Sequence, residues 1–150
     1  GWFNCYVWEM KIRKAKKDDI NTIIAFDHVV QYESKRKAFI KKSVMDKNCY
    51  VAVEKGAPIG YAVLEYTFFG FGFVSMLYLS DKYRRKGIGK RLMEHLENNC
   101  KTDKIFTSTN KSNKPMQKLL KKLNYQRSGI IHNLDPGDPE LFYYKKITQN

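Results

Sequence analysis

Two apolar spacings alternate along this chain. Ile20, Ile23, Ile24 and Phe26 stand three and four residues apart, the spacing of one helix face, with Asp18 or Asp19 placed to cap the helix that carries them. A short strand over residues 11–15 precedes it, and a second helix is predicted over 34–44 with Ala38, Phe39 and Val44 inward. The β-branched and aromatic runs at 49–54, 59–66 and 73–79 read as strands, the first two joined by the turn Lys55-Gly56-Ala57-Pro58. Helical spacing returns at 89–99, with Leu92, Met93 and Leu96 inward, and again at 115–123, where Pro115 sits in the first turn. Strands are predicted at 104–109, 126–132 and 141–146, the last after the turn residues 135–139. No repeat or low-complexity linker interrupts the series, and 150 residues make one domain of ordinary size.

The junction between the strand ending at Leu79 and the helix starting near Gly89 carries the chemistry. It reads Arg84-Arg85-Lys86-Gly87-Ile88-Gly89, a basic glycine turn at a helix N-terminus. Such a turn exposes consecutive backbone N–H groups next to the positive end of the helix dipole, which suits a phosphate or pyrophosphate. A Walker loop would end Gly-Lys-Ser/Thr, but Gly89-Lys90-Arg91 has no hydroxyl. A dinucleotide fingerprint would need a third glycine where Leu92 stands.

The pattern Arg-x-x-Gly-x-Gly after Leu77-Tyr78-Leu79-Ser80-Asp81 resembles motif A of the GCN5-related N-acetyltransferase (GNAT) superfamily, along residues 73–96. Asn113-Lys114-Pro115-Met116, Leu119 and the closing Leu123-Asn124-Tyr125 resemble the family's second cofactor motif, which usually ends Gly-Phe. Residues 51–54 and 58–61 resemble its second and third strands, so the similarity runs from about Met10 to Ile147. The resemblance implies an α+β domain over residues 10–150: a mixed, mostly antiparallel sheet of about six to seven strands with about four helices, splayed beside its fourth and fifth strands. It further implies acetyl-CoA as co-substrate, no metal, and direct transfer of the acetyl group to a primary amine. Leu77, Tyr78 and Leu79 would run along the pantetheine arm, and the amides of Arg84, Arg85, Lys86, Gly87, Ile88, Gly89 and Lys90 would hold the pyrophosphate. Asn113 matches a cofactor-contacting position, and an asparagine before Lys-Pro equally reads as a helix cap.

The proton steps match the family less well. Leu120 stands where relatives often carry a tyrosine that protonates the departing thiolate, and Ser75 stands where many carry a glutamate. Tyr143 or Tyr144 could replace the missing acid, although adjacent strand residues point to opposite faces and one of the two would only pack. Glu65 is the candidate base or amine anchor. His28, Tyr32 and Glu33 lie in the segment that borders the acceptor pocket in similar proteins. A second reading is a degenerate acyl-CoA-binding or regulatory module without efficient turnover.

Composition modifies this picture further. The net charge of +13 is uneven: residues 1–80 carry 12 basic and 8 acidic side chains, and residues 81–150 carry 16 and 7, so the excess falls on the half with the phosphate turn. No nucleic-acid-binding motif accompanies it, which argues against nucleic acid as the partner. Cysteines at 5, 49 and 100 are odd in number and widely spaced, and residues 66–79 are too short to span a membrane, so a reduced cytoplasmic protein with no membrane partner is expected. His95 is expected at the surface, and Cys49 and Cys100 buried. Tyr66, Phe68, Phe69, Phe71 and Phe73 could line an apolar acceptor site or a homodimer surface, with core as the commoner role of such residues. Residues 1–9, aromatic and hard to place, read as an N-terminal extension or a non-native remnant.

Overall fold

The computed structural model describes residues 10–147, and the segment 1–9 read above as an extension lies outside them. The strands are β1 (Lys11–Lys14), β2 (Cys49–Glu54), β3 (Ala57–Phe68), β4 (Phe71–Leu79), β5 (Lys104–Asn110), β6 (Gln126–Ile131) and β7 (Glu140–Lys146). The helices are α1 (Ile20–Phe26), α2 (Arg36–Met45), α3 (Ile88–Asn99) and α4 (Lys114–Lys122), with single 3₁₀ turns at Lys17–Asp19, His28–Gln31 and Asp81–Tyr83. One seven-stranded sheet runs β1-β2-β3-β4-β5-β7-β6. β1–β2, β2–β3, β5–β7 and β6–β7 are antiparallel, whereas β4 and β5 are parallel, so the sheet is mixed as expected.

Contacts group the chain into two compact halves, one comprising residues up to 63 with 76–95, the other 64–75 with 96 onward. In the first half, α1 and α2 bury Ile20, Ile23, Ile40 and Val44 against Val51, Tyr61 and Val63 of the sheet. Helix α2 begins later than the sequence predicts and buries Ile40, Ser43 and Val44, while Ala38 is exposed and Phe39 half-buried. The three buried positions are spaced three and four apart and form one stripe, which the predicted trio does not. Asp19 precedes α1 but does not cap it. Its carboxylate accepts from Arg13 at 2.7 and 3.0 Å and from the Lys16 amide at 2.7 Å, and the guanidinium beside it holds its pKa below the usual value.

In the second half, the helix-facing side of the sheet buries Val74, Ile105, Thr107, Leu141 and Tyr143, and Leu120, Leu123 and Tyr125 are also buried. The Tyr125 phenol donates to Glu97 Oε2 at 2.8 Å, and Lys145 Nζ donates to Glu97 Oε1 at 2.8 Å. Cys49 and Cys100 are buried free thiols, and burial pushes the Cys49 thiol up to about 12. Among the described residues no helix is long and apolar enough to cross a membrane, and no three His, Cys, Asp or Glu side chains gather as metal ligands would.

Candidate active site

In the first half, the phosphate turn leaves β4 at Leu79, passes the 3₁₀ turn Asp81–Tyr83 and enters α3 at Ile88. Arg85 (φ 62°) and Gly87 (φ 79°) both adopt the left-handed region, which folds the backbone back so that successive amides turn outward. A Cβ placed on Gly87 would meet nothing within 4 Å, so open space lies over the turn. Helical bonding starts with the Arg91 amide, which donates to Gly87 O at 3.2 Å. The amides of Ile88, Gly89 and Lys90 therefore precede the first helical bond and are left for an anion. Ile88 is buried and anchors the helix start, Gly89 is buried, and Arg84, Arg85, Lys86 and Lys90 are exposed around them.

β3 and β4 approach closely just before this turn. A Cβ on Gly60 would lie 2.6 Å from Leu79 Cδ2 and 3.3 Å from Tyr78 O, so a larger residue at 60 would displace the end of β4. Leu77, Tyr78 and Leu79 are half-buried. Two guanidinium groups lie near the Tyr78 ring, Arg36 at 5.5 Å and Arg84 at 5.3 Å from its centroid, and its hydroxyl accepts from the His28 amide at 3.1 Å. Arg84 also donates to Leu79 O at 3.4 Å and pairs with Asp81 at 3.3 Å.

The segment expected to border the acceptor is thereby tied to the phosphate turn. His28 Nε2 lies 3.0 Å from Asp81 Oδ2, so one carboxylate faces both His28 and Arg84. Beneath His28 is a polar cluster that the sequence reading did not single out. Asp27, only 1% exposed, accepts from the Tyr61 hydroxyl at 2.5 Å, the Arg36 Nε at 2.8 Å and the Val29 amide at 3.0 Å. Burial and the Asp27 carboxylate both push the Tyr61 phenol upward, while burial opposes and Asp27 supports the charge on Arg36, whose net shift is upward. Residues 27, 36 and 61 come from three elements, and the only local trace in sequence is an aspartate directly after an apolar helix. Tyr32 (82% exposed) and Glu33 project into solvent.

The second half contains Glu65, Ser75, Asn113, Leu120, Tyr143 and Tyr144. Parallel pairing of β4 with β5 runs from Gly72–Ile105 to Val74–Thr107, and the Thr107 hydroxyl donates to Val74 O at 2.8 Å. Beyond that pair the alternating burial of β4 stops, and Ser75 Oγ is buried without a hydrogen-bond partner among the described residues. The described parallel pairing therefore ends at Val74–Thr107. Asn113 accepts from the Met116 amide at 3.2 Å, so the helix-cap role is realised. Leu120 is fully buried and belongs to the core. Tyr143 is buried beneath Arg127, whose guanidinium lies 5.6 Å from its ring, and half-buried Tyr144 stacks on Phe106 on the opposite face. Glu65 is half-buried. His95, expected at the surface, is half-buried edge-on to Tyr50 at 5.3 Å, and burial with nearby Arg91 lowers its pKa.

Comparison with known proteins bears on the fold and the family. Residues 16–125 match the model of the acetyltransferase (GNAT) family. The fold superposes on a GNAT-family acetyltransferase from Bacillus cereus with a TM-score of 0.86 and 34% identity, covering 93% of this chain and 99% of that one. An N-alpha-acetyltransferase from Saccharolobus solfataricus is 24% identical over 140 residues, 82% of this chain and 84% of that protein. The structure of yncA from Salmonella typhimurium, solved with its cofactor acetyl-CoA, matches at TM-score 0.74 and 19% identity over 95% of this chain and 96% of that one. The chain belongs to the acetyltransferase (GNAT) family.

Proposed function

We propose that this protein transfers the acetyl group of acetyl-CoA to a primary amine, on a small molecule or a peptide, without a covalent enzyme intermediate. The observation that carries this reading is the phosphate turn: two left-handed residues, three amides ahead of the first helical bond and four exposed cations around open space. The turn suits the cofactor's pyrophosphate, and the half-buried backbone of residues 77–79 just before it suits the extended arm. The relatives named above support the donor, and the N-alpha-acetyltransferase supports a peptide amine among the acceptors.

In the proposed reaction the neutral amine nitrogen attacks the thioester carbon, a β4 amide donates to the carbonyl oxygen as it gains charge, and the C–S bond breaks. The attacking nitrogen loses its proton to Glu65, and the sulfur leaves as thiolate. A thiol pKa of about 8.5 makes that departure feasible near neutral pH without a side-chain acid. His28, with Tyr32 and Glu33, would border the amine.

The test is calorimetric titration with acetyl-CoA at physiological salt, using adenosine diphosphate for comparison, followed by release of free thiol with a panel of amines. Gly89 is buried, so a glutamate there would report on folding. Gly87→Asp instead puts a carboxylate into open space at a φ that aspartate tolerates. It is expected to weaken acetyl-CoA binding at least tenfold, with a melting temperature within a few degrees of the parent. Unchanged affinity in Gly87→Asp would refute the assignment of the turn, and stoichiometric binding without turnover would favour a binding module.

A further inference from the structure

On the side of β5 and β7 opposite the buried core of the second half lies a continuous aromatic surface. Phe68, Phe71, Phe73, Phe106, Phe142 and Tyr144 are each half-buried, and successive ring centroids lie 4.9–5.8 Å apart. Phe69, at the tip of the β3–β4 hairpin and 86% exposed, stands edge-on to Phe68 at 5.1 Å. The sequence reading gave core as the commoner role for such rings, and the exposure argues otherwise. At about 200 Å² per aromatic side chain, these seven rings leave roughly 400 Å² of apolar surface in water, within the range at which a patch signals an interaction site.

The charges along this face are ordered. Lys104 pairs in register with Lys146 at one end of the β5–β7 ladder, and Lys104 Nζ lies 5.5 Å from the Phe71 ring centroid. At the other end Asn110 is in register with Glu140, whose carboxylate accepts from Ser108 Oγ at 2.8 Å, and Asn110 donates to Asp135 at 2.9 Å. Six residues of strand separate the two ends, about 20 Å. A twofold axis through the aromatic centre that reverses strand direction would set the lysine end of one copy against the carboxylate end of the other, with rings against rings. Such a surface is self-complementary, as an isologous contact requires.

We propose that the protein forms a homodimer through this face, the two sheets packing with β5 and β7 antiparallel to their counterparts. Seven rings from each copy supply about 800 Å², and the lysine, Glu140 and Ile131 rim brings the total near the roughly 1,000 Å² that a specific interface needs. Sedimentation velocity of the full chain between about 1 and 100 µM tests this, with three variants: Phe69→Glu and Lys146→Glu, both at exposed positions, and Lys41→Glu on exposed α2 as a control. The parent is expected at twice its 17.7 kDa mass. Phe69→Glu and Lys146→Glu should each raise the dissociation constant at least tenfold while keeping the circular dichroism spectrum of the parent, and Lys41→Glu should behave as the parent. A monomeric parent at 100 µM would overturn the proposal and leave the face to another partner. A dimer insensitive to both face variants would place the interface elsewhere and overturn it equally.

Discussion

Replacing Asp27 with asparagine tests whether the buried cluster organises the segment around His28. The carboxylate is sealed from solvent and receives three donors, Tyr61 and Arg36 on one oxygen and the Val29 amide on the other. An asparagine has one acceptor oxygen, so whichever way the amide turns, its NH₂ faces at least one donor, and the Arg36 guanidinium, 13% exposed, loses its counter-charge. Breaking a buried pair from one side costs about 3–5 kcal/mol, against about 1 kcal/mol for a single neutral hydrogen bond. With a urea slope of about 2 kcal/mol/M, Asp27→Asn should lower the unfolding midpoint by about 2 M, and Tyr61→Phe by about 0.5 M. Asp18→Asn, at an exposed position one helix earlier, serves as the control and should change nothing measurable. A midpoint for Asp27→Asn within 0.5 M of the parent, read by circular dichroism and fluorescence together, would refute the view that this cluster is a charged keystone.

Two further predictions concern stability. Cys49, Tyr61 and Tyr125 all have pKa values raised by burial above ordinary values of 9.0 and 10.0. Their contribution is intact below pH 9 and is lost as pH climbs toward the folded values. Each adds a slope of about 1.4 kcal/mol per pH unit once its unfolded form ionises, so urea melts should show an accelerating loss of stability above pH 10, and a flat profile to pH 11.5 would contradict the burial. Leu120→Tyr, which supplies the tyrosine that the family resemblance leads one to expect, forces a larger side chain and a hydroxyl into a fully buried site. Calorimetry should show a loss of about 1–3 kcal/mol, or roughly 3–10 °C, and an unchanged melting temperature would mean that the site has room for the ring.

The elements of the fold were legible because each one satisfies a local rule. The strand at 49–54, the stripe Leu92, Met93 and Leu96, and the first-turn Pro115 all lie where period and punctuation put them. The turn at 84–90 was legible for a stronger reason: the work proposed for it is done by backbone, and backbone that must turn through left-handed φ values leaves glycines in the sequence. The polar cluster was not legible, because Asp27, Arg36 and Tyr61 meet only after a helix, a 3₁₀ turn and a hairpin have been placed, and none is unusual in its own segment. The aromatic run was seen but given its commoner role, since alternation shows that one strand face differs from the other and not which face is covered.

The same division between backbone and side chain explains how a chain of this family can have a leucine at 120. A positioned general acid contributes typically 10² to 10⁴ in rate, about 3–5 kcal/mol, whereas holding two reactants in line can supply about 7–11 kcal/mol. In the proposed reaction the larger share rests on the turn at residues 84–90, a main-chain feature. The smaller share falls on side chains and can be redistributed, because the leaving group is already acidic enough to depart. Leu120 then serves the core, where it is fully buried. In the proposed site the donor is held by backbone, and the segment from His28 to Glu33, which would border the amine, must be read by experiment.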